Sequence, residues 1–317
     1  MARLQLEDSG NQAVPAREAL GSRLGRARAS WKNWFWGYFF VAPSLLVFLS
    51  FSVYPVIKTV LLSFQRVDFI AGTTWVGLRN YEAIFEDSIF FDVLRNTFMY
   101  FLGIVPLGLV IVLMLSVLIF QLPTRIGQLF KAAYYLPTVA SGVVLSLVWL
   151  FIFNPAYGVL NYLLSLVGLA PVRWLAGPDT ALWSLVFMYH ATSWGGAVVL
   201  VSAAMGGIPQ HLYEAAIIDG ASRFRQFISI TLPLLRPVLT YVAIMATIGS
   251  LQIFNQIYLM TNGGPGWATT NLVFNVYVTA FQSLQFGRGS AQVLFLLLLT
   301  IGLAVVQYSR LAIDVEY

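Results

Sequence analysis

Glu214 to Pro233, EAAIIDGASRFRQFISITLP, is a polar interruption in a chain that otherwise alternates long apolar runs with short connections. Its spacing predicts a helix, a bend and a second helix. Pro209 suits the start of the first helix, where a missing N–H costs nothing. Leu212, Tyr213, Ala216 and Ile217 then fall on overlapping faces at spacings of three and four. Gly220 is the residue type that ends a helix in the left-handed conformation. From Ser222 a second short helix places Phe224, Phe227 and Ile228 on one side, with Arg223, Arg225 and Gln226 on the other. Pro233 and Pro237 are expected to break the path before the next apolar run. An apolar face on two short helices must be buried somewhere. Folding back on the bundle and docking to a partner fit the periodicity equally well.

The surroundings of this stretch fix the class as an all-α integral membrane protein. The chain has 317 residues, 59% of them hydrophobic and 10% charged, with mean hydropathy +0.78. Soluble domains carry about 25% charged residues. A hydrocarbon core about 30 Å thick takes about 20 apolar residues per helix. Six segments qualify: residues 34–64, 96–120, 132–153, 181–205, 238–260 and 290–307. The first is overlong, with Pro43 and Pro55 as candidate kinks, and Trp31, Trp34 and Trp36 lie where an interfacial aromatic belt forms. Residues 1–33 read as a disordered basic tail and 313–317 as a short C-terminal end, flanking a six-span membrane domain over 34–312. The apolar run after the tail is too long for the core of a cleaved signal peptide.

Charge placement orients the bundle. With the N-terminus inside, the inner side holds Arg3, Arg17, Arg23, Arg26, Arg28, Lys32, Arg125, Lys131, Arg223, Arg225, Arg236 and Arg310. The outer side holds Lys58, Arg66, Arg79, Arg95, Arg173 and Arg288. Twelve against six puts both termini of a multi-pass membrane protein in the cytoplasm. The same placement explains the net charge of +5 without nucleic acid. In the outer loop after the first span, Asn80–Asp92 (NYEAIFEDSIFFD) sets Tyr81, Ile84 and Phe85 on one face, away from Glu82 and Glu86. An amphipathic surface helix is expected there, with Phe90 off its stripe. It either covers the bundle or docks an outside partner.

Several classes fall away. There is no cysteine, and His190 and His211 are too few for a metal cluster. All thirteen carboxylates lie outside the apolar spans, which weakens a proton-coupled carrier; a sodium-coupled one, using carbonyls and hydroxyls, stays open. Lys32, Lys58 and Lys131 are not set in a phosphate-binding loop, and no G-x-S-x-G or H-E-x-x-H pattern occurs. No enzyme activity is expected of this chain.

The Glu, both Ala, Asp, Gly, Ala, Ile, Leu and Pro positions of the opening stretch resemble the EAA signature of ABC-type import permeases. Gly77-Leu78-Arg79-Asn80-Tyr81, Asn96-Thr97, Leu136-Pro137, Trp149, Asn154-Pro155, Gly158, Asn161 and Gly263-Gly264-Pro265-Gly266 resemble the carbohydrate-importer branch. The likeness runs from about Phe35 to Gln307. It is nearer to the maltose importer's longer subunit and its glycerol-phosphate counterpart than to their partner subunits, without that maltose subunit's extra N-terminal spans and large outer domain.

The resemblance implies a six-helix permease with a cytoplasmic coupling loop over 209–237. It implies a second homologous permease subunit, an ATP-binding cassette ATPase dimer that binds the ATP and Mg, and an extracytoplasmic solute-binding protein. No cofactor is expected in this chain itself. Glu214, Ala215, Ala216, Asp219, Gly220 and Ala221 would form the coupling helix seated in an ATPase cleft.

Sugar recognition wants amides and aromatic faces in a partly dry site. The fifth span offers Gln252, Asn255 and Gln256 on one helical face, followed by Tyr258. The fourth offers Tyr189, His190, Thr192, Ser193 and Trp194, of which Tyr189, Ser193 and Trp194 are taken as path candidates and His190 as a packing residue. Inward amides also glue helices together, so the amide face serves either role. No basic group lies deep in a span, and Lys58 can snorkel. The expected solute is a neutral carbohydrate. An ion-coupled carrier, or an importer of another solute such as glycerol phosphate, is the alternative.

Overall fold

The computed structural model describes residues 34–68 and 70–311. The basic tail of 1–33 and the C-terminal end at 313–317 lie outside the described residues. The chain divides into two compact units, 1–58 and 59–317.

In the first unit, Trp34–Lys58 forms most of helix α1 (Trp34–Ser63). Pro43 and Pro55 both sit inside this one helix. A widened π turn, Leu49–Val53, precedes Pro55 and relieves the turn that lacks its N–H. Aromatic rings pair at i,i+4 along its start, Trp34 with Tyr38, Phe35 with Phe39 and Trp36 with Phe40.

The second unit begins with the hairpin β1 (Gln65–Asp68) and β2 (Gly72–Trp75), antiparallel with Gln65 opposite Trp75. Helix α2 (Arg79–Phe85) follows. The expected amphipathic helix over 80–92 is broken after Phe85, because the Asp87 carboxylate accepts from the Ile89 N–H and starts a new helix, α3 (Ser88–Phe120). The second span thus begins eight residues earlier than hydropathy predicts. Phe90, off the expected stripe, is fully buried on α3 beside Ile84, Val93 and Leu272, while Phe85 is exposed. Helix α2 therefore folds back on the bundle.

Helix α3 is the central wall. Its buried positions Phe90, Val93, Thr97, Tyr100, Ile104, Gly108, Val112, Ser116 and Ile119 recur at three and four, the pattern of one helix face. Against it pack α7 (Ala181–Thr192), α8 (Gly195–Gly206) and the long helix α10 (Arg223–Leu251). Helix α12 (Phe286–Leu311) lies on α10, tied by Thr247 to Gln307 at 2.7 Å.

Two predicted spans are not straight. The run 132–153 is α4 (Thr124–Val139) and α5 (Gly142–Ile152), bent by 100°. Ala140 is extended, and the Ser141 hydroxyl accepts from the Val144 N–H to start the second helix. The run 181–205 is α7 and α8, bent by 45°. Among the described residues, four helices are long and apolar enough to cross a membrane, and six spans result if each bent pair counts as one. Short helices α6 (Val159–Leu166), α9 (Gln210–Ile218) and α11 (Leu272–Gln282) complete the unit. Hydropathy did not single out α11, which is too short to span.

Residues that carry the family resemblance outside the opening stretch are mostly loop staples. Asn161 donates to the Pro155 and Val172 carbonyls and accepts from Val172 N–H and Trp174 Nε1. A Cβ at Gly158 would lie 2.3 Å from the Asn154 carbonyl oxygen. Asn96 donates to the carbonyls of Trp267 and Thr270, and Tyr100 to that of Thr269.

Candidate coupling loop and translocation path

The loop that opened the sequence reading folds as a helix, a bend and a helix. Helix α9 ends at Ile218, capped by Asp219 and stopped by Gly220, whose φ is +73°. The Gly220 N–H reaches the Ile217 carbonyl at 3.0 Å and the Ala221 N–H reaches Ala216 at 2.9 Å, the paired bonds of a left-handed helix stop. Ser222 then accepts from the Arg225 N–H and starts α10. The second helix is not short. It continues without interruption past Pro233 and Pro237 to Leu251, so the expected break before the next span is absent. The π turn Phe227–Thr231 contains Ser229, the residue whose carbonyl Pro233 could not have served in a regular helix.

The apolar face of this loop is divided. The Tyr213 hydroxyl meets Thr231 Oγ1 at 2.8 Å, pinning α9 onto α10, and Leu212 and Ala216 are half-buried. Ile217, Ile218 and Phe224 are 65%, 87% and 73% exposed. Glu214, Ala215 and Asp219 are exposed beside them, and a hollow of about 350 Å³ opens between Ala216, Asp219, Gly220, Arg225 and Ser229.

Toward the other end of α10, the helix stops at Leu251 and Gln252 turns out of it, with φ −106° and ψ 19°. Buried Asn271 holds the break open by donating to the Ile253 carbonyl at 2.7 Å. Gln252, Asn255 and Gln256 therefore do not share one helix face: Gln252 lies in the turn, while Asn255 and Gln256 open the short helical segment that follows it. Gln252 and Asn255 are exposed and Gln256 half-buried. The Asn255 amide nitrogen lies 3.4 Å from where a Cβ on Gly142 would stand, so this break meets the 100° bend between α4 and α5. Tyr258 packs its ring on Phe254 and Tyr277.

Tyr189, Ser193 and Trp194 come together at the α7–α8 bend, lining a cavity of about 310 Å³ with Leu200, Tyr241 and Met245. Its lining has no charged side chain. The Tyr189 hydroxyl lies 2.8 Å from where a Cβ on Gly249 would stand. Trp194 is also structural: its Nε1 donates to His190 Nδ1 at 3.0 Å, and a Cβ on Gly108 would fall 1.7 Å from its ring. His190 Nε2 donates in turn to the Gly103 carbonyl at 2.9 Å. Both ring nitrogens of His190 are thus used in packing, as its lone place on an apolar helix suggests. Tyr241 and Met245 were missed, because nothing in their spacing separates a pocket wall from a lipid face.

No family model matches the chain. It is 35% identical over 274 residues to the probable ABC transporter permease protein YurN of Bacillus subtilis, covering 85% of this chain and 94% of that protein. The trehalose/maltose transport system permease protein MalF of Thermococcus litoralis is also 35% identical over 274 residues, which span 85% of this chain and 91% of that one. The chain belongs to the sugar ABC transporter permeases. In fold, this permease matches a bacterial alginate ABC transporter, solved in complex with an alginate pentasaccharide-bound periplasmic protein. The TM-score is 0.78 at 21% identity, with 88% of this chain and 94% of that one covered.

Proposed function

We propose that this permease is one half of a six-span-per-subunit translocation path, paired with a second permease and driven through the loop 209–237 by an ATPase dimer. The observation that carries this reading is the exposed apolar set Ile217, Ile218 and Phe224 on a loop whose backbone is already fixed by Gly220 and Tyr213. An ordered apolar surface of this kind needs a cover. Glu214 and Asp219 at its edge offer carboxylates to basic groups of the cover, and the small Ala215 and Ala216 allow close approach.

Helix α10 gives the loop its reach. At 1.5 Å per residue its 29 residues run about 43 Å, from the coupling loop to the break that carries the amides. Movement of α9 against the ATPase is transmitted through Tyr213–Thr231 into one rigid rod ending at Gln252. ATP-driven closure brings the two coupling loops together and rocks the halves from inward-open to outward-open. An extracytoplasmic binding protein then delivers its solute, and hydrolysis resets the state.

The solute is a neutral carbohydrate. Gln252, Asn255 and Gln256 supply hydroxyl-bonding amides beside the α4–α5 bend, and Tyr258 lies next to them. Tyr189, Ser193 and Trp194 supply an uncharged aromatic wall at the second bend. Irregular backbone at membrane depth is tolerated where it lines a cavity, which fits both bends.

The test is to tag the chain, extract it from native membranes in mild detergent and identify what co-purifies. A second permease and an ATP-binding cassette ATPase are expected, the ATPase being lost with Glu214→Lys plus Gly220→Pro. Recovery of the chain alone, from membranes that still transport, refutes the reading. For the path, Asn255→Ala is expected to raise the half-saturating sugar concentration about tenfold, the worth of a hydrogen bond in a partly dry site.

A further inference from the structure

Three of the six basic residues that the sequence places outside, Arg66, Arg79 and Arg288, line one cavity of about 540 Å³. Its walls are the β1–β2 hairpin, α2, and the first turn of α12 with the two residues before it. Basic residues are disfavoured on the outer side of a bundle, so their convergence on one hollow needs a cause other than topology. Internal charge balance does not supply it. The one carboxylate in the lining, Asp68, accepts from the N–H groups of Ile70 and Ala71 at 2.8 and 2.9 Å. Those bonds, with the nearby Arg66 charge as a lesser cause, hold its carboxyl below the usual range, so Asp68 offsets Arg66 in part and leaves the cavity with a net positive lining. Arg288 pairs with Asp87. Arg66 and Arg79 are exposed and make no salt bridge to any described residue.

The hollow is preformed. The Asn80 amide donates to the carbonyls of Ser63 and Gln65, and Gly287 lies so close to Gln65 that an added Cβ would stand 1.9 Å from its carbonyl oxygen. A guanidinium fork in a fixed wall selects a planar, bidentate acceptor.

We propose that this cavity receives a carboxylate side chain, Asp or Glu, of the extracytoplasmic solute-binding protein, with Arg66 and Arg79 as its two ligands. The inference rests on the importer reading and on the positive-inside orientation. The cavity is larger than one carboxylate needs and opens among extramembrane loops, so it suits an acid carried on a protruding protein segment. Exposed charges at the rim of an interface act mainly on register, encounter rate and salt dependence.

The test uses the full complex in nanodiscs that contain a fraction of anionic phospholipid, titrated with the purified solute-binding protein of the same importer. Arg66→Glu with Arg79→Glu is expected to weaken binding at least about tenfold, chiefly through slower association, and to flatten its salt dependence. Arg66→Lys with Arg79→Lys is expected to weaken binding by an intermediate amount, about three- to fivefold, with association little slowed, since the charge is kept while the fork is lost. Both variants should elute as wild type; if the reversed pair does not, Arg66→Gln with Arg79→Gln replaces it. Equal binding by wild type and the reversed variant overturns the assignment and leaves the importer reading intact. Loss of retained anionic phospholipid with unchanged partner binding gives the cavity to a lipid headgroup and also overturns it. A wild-type complex that does not engage the binding protein refutes the importer reading itself.

Discussion

The loop at 261–271 and the loop at 209–222 are both Gly- and Pro-bearing interruptions between apolar helices, yet they are held in opposite ways. The first is nailed down by the chain's own helices. Asn96 and Tyr100 on α3 donate to three of its carbonyls, Thr97 accepts from the Leu272 N–H, and Asn271 reaches across to Ile253. The second is held by its Gly220 stop and by short-range contacts with the start of α10, Tyr213 to Thr231 and Gln226 to the Ala221 carbonyl, and leaves Ile217, Ile218 and Phe224 exposed. One loop is completed inside the molecule. The other is an ordered surface that is complete only when something covers it.

The comparison breaks first at Asn96. Asn96→Ala leaves the Trp267 and Thr270 carbonyls without their donor in a buried site, and should cost about 2–3 kcal/mol. The thermal midpoint of the isolated permease in detergent should fall accordingly; an unchanged midpoint would mean that the loop at 261–271 holds itself together. Gly220→Ala, at φ +73°, should cost about 1 kcal/mol and fray the end of α9. Hydrogen exchange at Gly220 and Ala221 would report it. Tyr213→Phe removes a single hydroxyl contact, worth about 1 kcal/mol or less. It should loosen ATPase coupling, read as solute moved per ATP hydrolysed, more than it lowers the midpoint. The smallest stability effect is expected at Ile218, where Ile218→Ser should stay within about 0.5 kcal/mol of wild type because the side chain is exposed. The same variant should recover less ATPase on purification. Full recovery would return the exposed apolar set to an accident of surface composition.

The two loops also differ in how far they could be read in advance. At 209–222 the signals are local: Pro209, Gly220 and Ser222 act on their neighbours, so bend and cap follow from their order in the chain. The helix runs on through both prolines: a π turn upstream takes up the missing N–H of Pro233, its widening leaving no mark in composition, and Pro237 lies within the regular helix beyond it. At 261–271 the staples come from residues about 170 positions away, and no periodicity announces them. The amide trio at 252, 255 and 256 failed as a helix face for the same reason. The helix ends where Asn271 captures the Ile253 carbonyl, a bond that exists only once the loop has folded back.

By itself the sequence determined that this is a bundle of apolar helices, about where they run, which stretch is the polar loop, and which family the residues resemble. Those properties are set by hydropathy and by local backbone chemistry, which act over a few residues. Only the tertiary structure decided which helices bend, that α2 folds back on the bundle, that Trp194 is locked between His190 and Gly108, and that three arginines from separate segments share one hollow. Each of these depends on contacts between residues distant in the chain, whose geometry no short window of sequence contains.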